Sequence, residues 1–537
     1  QQSRQEALGS DLLTGHRAAL YSCLTKVQRS GRTACDVAEA GKLHGLLQKS
    51  GIPAIEVDSG LVWIQILART GRQSEARSGM LRLLDQVQFY QERLAGVISA
   101  WYVDHREGLL REYVEGVMAG SGNGNGDGVP LLLALERVRQ MEGAVAQGDA
   151  AESVRSQVAR IESAQPAPDD ALSRQVSADL QAFREESGWS NGAATRESLD
   201  DALGAMDRDD SLLAYYFSDQ WVYAVVAARK SVRQVRLGKS GGIRGQIKSI
   251  LDGIQKPGAT APDAALSRLG QTLLGAFSRS LGQRIFLLPA GPLNGFPFDA
   301  LRLEDAYLAA EHRLLNLDSI HALADPPGKM ARDFDERVFV AGSPRSGRDL
   351  FSYGVSSSEE ITAVRDQFVG GGLHIVQGVA LRGDEFQDER YSAAALIHLA
   401  MPGRVDLSRP ARSRLLLSGE RESPSAEFLQ PAGLRDMTIQ AKLAVLSGTS
   451  FINRGGTDFD SRLGLINDLH DAGARFVLAA LWPAGDEETA ELMSGFYSRL
   501  AEERDPAEAL FEARKALMNS PNGANFLSWA GFQLFIR

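Results

Sequence analysis

Ala395-Leu396-Ile397-His398-Leu399-Ala400-Met401-Pro402-Gly403 and Lys442-Leu443-Ala444-Val445-Leu446-Ser447-Gly448-Thr449-Ser450 decide how this sequence folds. Each is a short apolar run that stops at small or turn-forming residues, as a buried parallel strand does. In open α/β sheets the reactive groups lie just beyond the carboxyl ends of such strands. Here those ends carry Pro402 and Thr449.

Around these two runs, strands alternate with helices, the pattern of a βαβ sheet. Parallel strands are predicted at residues 285–288, 338–341, 373–376, 395–400, 443–446 and 475–481, with helices at 358–368, 463–472, 486–500 and 506–518. Asp486 is the expected N-cap of the third helix, with Glu487 and Glu488 in its first turn, where the helix dipole favours carboxylates. Upstream, residues 212–217 and 221–227 read as a hairpin, and residues 232–237 add a third strand.

Before about residue 205 the chain reads as helical. Leu61–Arg72 is followed by Glu75-Ala76 and Met80–Leu84, a helix, a Gly71-centred turn and a second helix, with small residues where the two must touch. This hairpin is similar to a tetratricopeptide unit, although an ordinary helical bundle fits the pattern too. Residues 100–113 and 131–145 are predicted helices, and Trp101, His105 and Tyr113 are assigned to the scaffold. Ser121–Gly128 alternates glycine with short polar residues and is expected to be a loop.

At 537 residues the chain exceeds one core, and two or three domains are expected. A formal net charge of −10 argues against a nucleic-acid surface as the main one. No apolar run reaches the roughly 18–20 residues of a membrane-spanning helix. Cys23 and Cys35 are the only cysteines, too few for a metal site; they either pair or remain free buried thiols. The sequence calls for no cofactor and no metal. Abundant Gly, Ala and Arg resemble the composition of GC-rich bacteria. Gln1 without a preceding Met fits either a mature end after signal-peptide removal or a shortened chain, which leaves export and cytoplasm equally open.

Several segments together resemble one family. Leu287-Leu288-Pro289-Ala290-Gly291-Pro292-Leu293, running on to Pro297-Phe298-Asp299-Ala300-Leu301, resembles the P-D-G-x-L-x-x-x-P-F-x-A-L segment of CHAT domains. Val445-Leu446-Ser447-Gly448-Thr449 falls where that family has V-L-S-A-C, and Gly473–Pro483 is similar to its G-A-x-x-V-I-x-x-L-W. Phe496-Tyr497, Pro506–Leu510 and Trp529–Phe532 complete the match. The resemblance implies an α/β, caspase-like sheet flanked by helices over residues 206–537, preceded by an all-α, tetratricopeptide-like region over residues 1–205.

CHAT peptidases use a Cys–His dyad, in which an imidazole takes the thiol proton and later protonates the leaving amine. The family's His lies in H-x-A-T-H-G, here His398-Leu399-Ala400-Met401-Pro402-Gly403, so the catalytic position is Pro402. Proline has no titratable group. The Cys position is Thr449, whose hydroxyl needs a base even more than a thiol does. His398 lies four residues before Pro402, roughly 13 Å along an extended strand, and reads as a buried histidine. The departures spread over Met401, Pro402, Thr449, Ser450 and Phe451, a pattern of natural loss rather than of one laboratory substitution.

The resemblance therefore implies a catalytically inactive pseudopeptidase that binds a protein or peptide, including an active CHAT peptidase or its substrate. Pro402 and Thr449 are its vestigial positions. Its binding cleft is expected to be lined by His398, Gly403, Gly448, Ser450, Asp458, Trp482 and Asp486. Two alternatives stand beside it: a hydrolase built on Thr449, and a helical adaptor that the CHAT-like fold merely supports.

Overall fold

The apolar runs order themselves into sheets and helices in a computed structural model, which describes residues 2–31, 34–50, 53–93, 110–111, 113–115, 117, 126–143, 196–228, 231–254, 262–324, 329–330, 334, 337–342, 357–368, 372–377, 386, 388–406, 414–418, 427–429, 439–452, 465–482 and 484–537. These fall into two compact units, Gln1–Gly120 with Arg137–Ala194, and Ser121–Glu136 with Thr195–Arg537.

The first unit is helical. Its helices include Gln2–Ser30, Val37–Leu47, Pro53–Arg69 and Gln73–Arg93. Asp36 caps the second, its carboxylate accepting from the amides of Ala38 and Glu39 at 2.9 and 3.2 Å. The expected hairpin is formed by the third and fourth, and Gly71 turns the chain in the left-handed region at φ +89°. Small residues do sit at the contact: a Cβ on Gly60 would meet the Leu83 methyl at 2.9 Å, and one on Gly79 would lie 3.2 Å from Ile64. Leu20, Leu24, Leu47, Val62 and Ile66 form the core with Cys23. Of the two readings of the cysteines, pairing is the one found: Cys23 and Cys35 form a disulfide, their Cα atoms 5.3 Å apart. Trp101 and His105 lie outside the described residues, and Tyr113 is buried.

In the second unit the strands are β1 (Gly126–Asp127), β2 (Asp210–Phe217), β3 (Trp221–Ala228), β4 (Ser231–Lys239), β5 (Arg284–Leu288), β6 (Arg302–Leu303), β7 (Ala306–Tyr307), β8 (Arg313–Leu317), β9 (Val338–Gly342), β10 (Leu373–Gln377), β11 (Leu396–Ala400), β12 (Gly403–Asp406), β13 (Arg414–Ser418), β14 (Glu427–Leu429), β15 (Leu443–Leu446), β16 (Thr449–Ile452), β17 (Phe476–Ala480) and β18 (Phe532–Ile536). Twelve of them make one mixed sheet in the order β1-β4-β3-β2-β5-β8-β18-β17-β15-β11-β9-β10. The strands β2, β5, β8 and β18 run one way, and β17, β15, β11, β9 and β10 run the other. The two sets meet at the antiparallel β17–β18 pair. Helices Ser357–Gln367, Leu465–Ala472, Asp486–Glu503 and Pro506–Met518 fill the connections, close to the expected bounds.

Three expectations are corrected. The glycine-rich stretch is not all loop: Gly126-Asp127 pairs with Gln234 and Arg233 of β4. This is possible because Gly128 has no Cβ, which would otherwise sit 2.7 Å from Val225 and 2.9 Å from the Arg233 backbone. Asp486 is the first helical residue and Gly485 the N-cap; the carboxylates still occupy the first turn, where the dipole favours them. The chain also forms strands that the hydrophobic pattern alone did not reveal, namely β8, the C-terminal β18, and a four-stranded sheet in the order β14-β13-β12-β16.

His44 gives the helical unit a measurable pH response. Its ring stacks on Trp63 with centroids 5.7 Å apart. Burial, and secondarily the charge of Arg82, lowers its pKa from 6.5 to about 4. The folded state thus binds the proton less readily than the unfolded chain, so this contribution to stability is complete above pH 6.5 and is lost as pH falls towards 4. Denaturant titrations at pH 7 and pH 4.5 should show a loss of about 2 kcal/mol that His44→Gln removes. An unchanged pH dependence in the variant would contradict the assignment.

Candidate functional site

The site is built where β11 and β15 end. They lie side by side in parallel, with His398 opposite Val445 and Leu399 opposite Leu446. Neither chain then turns into an open loop. After Met401-Pro402 the first continues as β12, and after Ser447-Gly448 the second continues as β16, and these pair in parallel with Gly403 opposite Thr449. The amide of Gly403 donates to the Gly448 carbonyl at 3.1 Å, and the amide of Leu416 donates to the Pro402 carbonyl at 2.8 Å. Pro402 sits at the break between two strands, where its missing N–H costs no ladder bond.

Close packing explains the small residues here. A Cβ on Gly448 would lie 2.4 Å from the Met401 carbonyl oxygen, and one on Gly403 would lie 2.4 Å from a Leu415 methyl. Met401 is fully buried in the cluster that holds Leu399, Leu415, Leu417, Leu446 and Leu481. The small sheet thus covers the ends of the two central strands with apolar side chains.

Thr449 is 0% exposed. Its hydroxyl lies 2.7 Å from the Ala480 carbonyl oxygen and 3.2 Å from that of Leu446, and donates to them. A nucleophilic hydroxyl must hand its proton to a base; this one hands it to the backbone of β17 and its own turn. Ser450, half-buried, pairs opposite Arg404.

Of the expected lining residues, Gly403, Gly448 and Ser450 come together with Pro402 and Thr449 through strand pairing. His398 does not join them. Fully buried on β11, it has Nδ1 2.7 Å from the Tyr497 hydroxyl and Nε2 3.0 Å from a Glu360 carboxylate oxygen, an ion-pair distance without hydrogen-bond alignment. Burial first, and the Glu360 charge second, hold the Tyr497 phenol well above its usual pKa. Trp482 follows β17, and its indole N–H donates to the Leu527 carbonyl at 2.9 Å; its ring lies so close to Gly531 that a Cβ there would be 2.8 Å away. Asp486 opens the helix that carries Tyr497. Asp458, with the 453–460 loop, lies outside the described residues.

Glu360 and Tyr497 were not singled out as site residues by sequence reasoning. A signal for Glu360 existed: it falls on the stripe of the helix Ser357–Gln367 that continues through Val364 to Phe368, both buried. An acid on an apolar stripe needs a buried partner. Its removal leaves the buried His398 Nε2 facing an emptied space, so Glu360→Ala should destabilise the chain by about 1–3 kcal/mol, read as a shifted urea midpoint. Tyr497→Phe, which keeps the ring, should cost about 1–2 kcal/mol. Equal and negligible effects would show the cluster to be inert.

Among the described residues no group of histidine, cysteine and acidic side chains is arranged to hold a metal ion.

The aligned stretch with curated relatives is short. Tetratricopeptide repeat protein 28 of Mus musculus is 34% identical over 107 residues, which is 20% of this chain and 4% of that protein. Its Homo sapiens counterpart is 32% identical over 107 residues, again 20% of this chain and 4% of the relative. Among solved structures, the Saccharomyces cerevisiae separase–securin complex superposes with a TM-score of 0.42 at 8% identity, covering 97% of this chain and 46% of the other. The Arg-specific cysteine proteinase gingipain R gives 0.33 at 11% identity, covering 55% and 74%. The model of the CHAT domain matches residues 262–536, from the helix before β5 to the end of β18, and the chain belongs to the CHAT domain family.

Proposed function

We propose that this chain is a catalytically inactive CHAT-type pseudopeptidase that acts by binding protein or peptide, with a tetratricopeptide-like helical region over residues 1–205 and the CHAT domain over residues 206–537. The observation that carries this reading is Thr449: its hydroxyl is buried and committed to the Ala480 carbonyl, and the neighbouring strand break holds a proline. Neither Pro402 nor Thr449 has a side chain that can act as a general base. What remains is a rigid platform, in which Gly403, Gly448 and Ser450 form the junction of the two sheets and Trp482, Asp458 and Asp486 belong to the segments expected to rim it. Extended peptides bind such platforms by strand pairing, which needs backbone groups and no reactive side chain.

Two experiments test this. An acylating serine and threonine hydrolase probe should leave the intact mass of the full chain unchanged; an adduct mapped to Thr449 would overturn the reading in favour of a hydrolase. Thr449→Cys should place a thiol where reagents cannot reach it, and because Cys23 and Cys35 are paired, it would be the sole free thiol. Its reaction with a disulfide reagent should be slower by roughly a hundredfold or more in the native protein than in denaturant. Rapid native labelling would mean an open, reactive site.

A further inference from the structure

The helical unit holds both cysteines of the chain, joined in one bond. Cys23 lies on the helix Gln2–Ser30, in the buried stripe Leu20, Cys23, Leu24 and Val27. Cys35, separated from it by 12 positions, lies in the bend before the helix Val37–Leu47. The two sulfurs differ in setting. Cys23 is 6% exposed, whereas Cys35 is half-buried beside the exposed Asp36. The bond is also not the only fastening of its helix. Leu20, Leu24, Leu47, Val62 and Ile66 pack around it. The Tyr21 hydroxyl donates to Asp58 of the helix Pro53–Arg69 at 2.6 Å, and Arg17 pairs with the same carboxylate at 3.2 Å.

We propose that Cys23–Cys35 is a thiol–disulfide exchange site, opened by a dithiol reductant and reclosed by a disulfide oxidant, that sets how readily the helix Gln2–Ser30 lifts from the helical core. A reductant thiolate attacks the accessible Cys35 sulfur; the S–S bond breaks, Cys23 leaves as a thiolate and takes up a proton, and Cys35 is left in a mixed disulfide. The second thiolate of the reductant attacks the reductant's own sulfur in that mixed disulfide, which closes the reductant into a cyclic disulfide and releases the Cys35 thiolate. Two electrons and two protons pass from the dithiol to the cysteine pair. The position of Cys35 suits both steps. It directly precedes Asp36, the N-cap of an 11-residue helix, and a helix N-terminus favours a thiolate. The Asp36 carboxylate, which opposes that charge, is taken up by the amides of Ala38 and Glu39. Closing so short a loop changes the equilibrium for local opening by roughly a hundredfold. That is enough to change how often the helix lifts, while the Asp58 contacts and the apolar stripe still hold the reduced unit together. A purely structural bond would have both sulfurs shut away and would yield only on unfolding. The Thr449 site takes no part, so the exchange site and the pseudopeptidase reading can fail separately.

The test treats the full chain with dithiothreitol in native buffer, alkylates the thiols and reads them by mass. Reduction should go to completion at a rate that sub-denaturing urea leaves unchanged, as exchange at an accessible sulfur requires. Glutathione, which has one thiol and stops at the mixed disulfide, should be found on Cys35. Amide hydrogen exchange across residues 17–27 should be roughly a hundredfold faster in the reduced chain than in the oxidised one, with β15 and β17 unaltered, and reoxidation should restore the slow rate. The double variant Cys23→Ser, Cys35→Ser should exchange like the reduced chain and ignore the reductant; the reduced natural sequence carries the same comparison without any substitution. Reduction only in denaturing urea, glutathione on Cys23 instead, equal amide exchange in the two redox states, or loss of the helical signal of the whole unit on reduction would each overturn the proposal.

Discussion

The buried pair of Arg514 and Asp299 ties together the parts on which the sheet depends. Its two charges are 2.6 Å apart and almost wholly excluded from solvent. Burial pushes the Asp299 carboxyl above its ordinary pKa, and Arg514 pulls the other way. Arg514 does more than neutralise a charge. Its other nitrogens donate to the carbonyls of Trp529, at 3.3 Å, and Phe532, at 2.5 Å. One side chain on the helix Pro506–Met518 thus holds the segment after β5, the turn before β18 and the first residue of β18. Since β18 is the last strand of its set and pairs antiparallel with β17, the first of the other, the helix, the Asp299 segment and the sheet junction are fixed by one guanidinium. Lysine could not replace it, because a single ammonium cannot reach in three directions in a plane.

From that junction the order passes to Thr449 by contacts rather than by sequence. Phe532 pairs with Ala480, the last residue of β17, and the Leu481 amide donates to the Gly531 carbonyl at 2.7 Å. Ala480 is also the acceptor of the Thr449 hydroxyl. The hydroxyl therefore does the work of a fastener between β16 and β17. A cysteine, with a weaker S–H donor, would hold this position less firmly, so threonine here is explained by structure without any appeal to reactivity.

The sequence made the parallel strands and their connecting helices legible because each is a continuous apolar run of strand length, or an amphipathic run of helix length, bounded by turn residues. It also placed Pro402 beside Thr449, since both follow such runs and the resemblance aligned them. The small sheet was hidden for a physical reason. Gly403–Asp406 and Thr449–Ile452 are short and begin with small or polar residues, and their pairing depends on the close approach of Gly448 to Met401, which no local periodicity records. The β1 strand was hidden similarly, because glycines that weaken an isolated strand are the ones that allow close seating on β4. The disulfide needed the bend before the second helix to bring Cys35 back to Cys23 on the first, and twelve-residue spacing alone is compatible with either state.

His398 and Pro402 meet different physical constraints within one short segment. Both belong to the same six-residue segment, yet only the second sits at the junction of the two sheets. His398 faces Glu360 and Tyr497 inside the protein, so its loss would leave the buried Tyr497 hydroxyl without its hydrogen-bond partner and Glu360 without its neighbour. Pro402 stands half-buried at a strand break where its carbonyl, not its side chain, makes the structural bond. Folding therefore constrains the first position through its buried contacts and the second through the strand break, while the neighbouring Thr449 hydroxyl donates to the Ala480 carbonyl of β17.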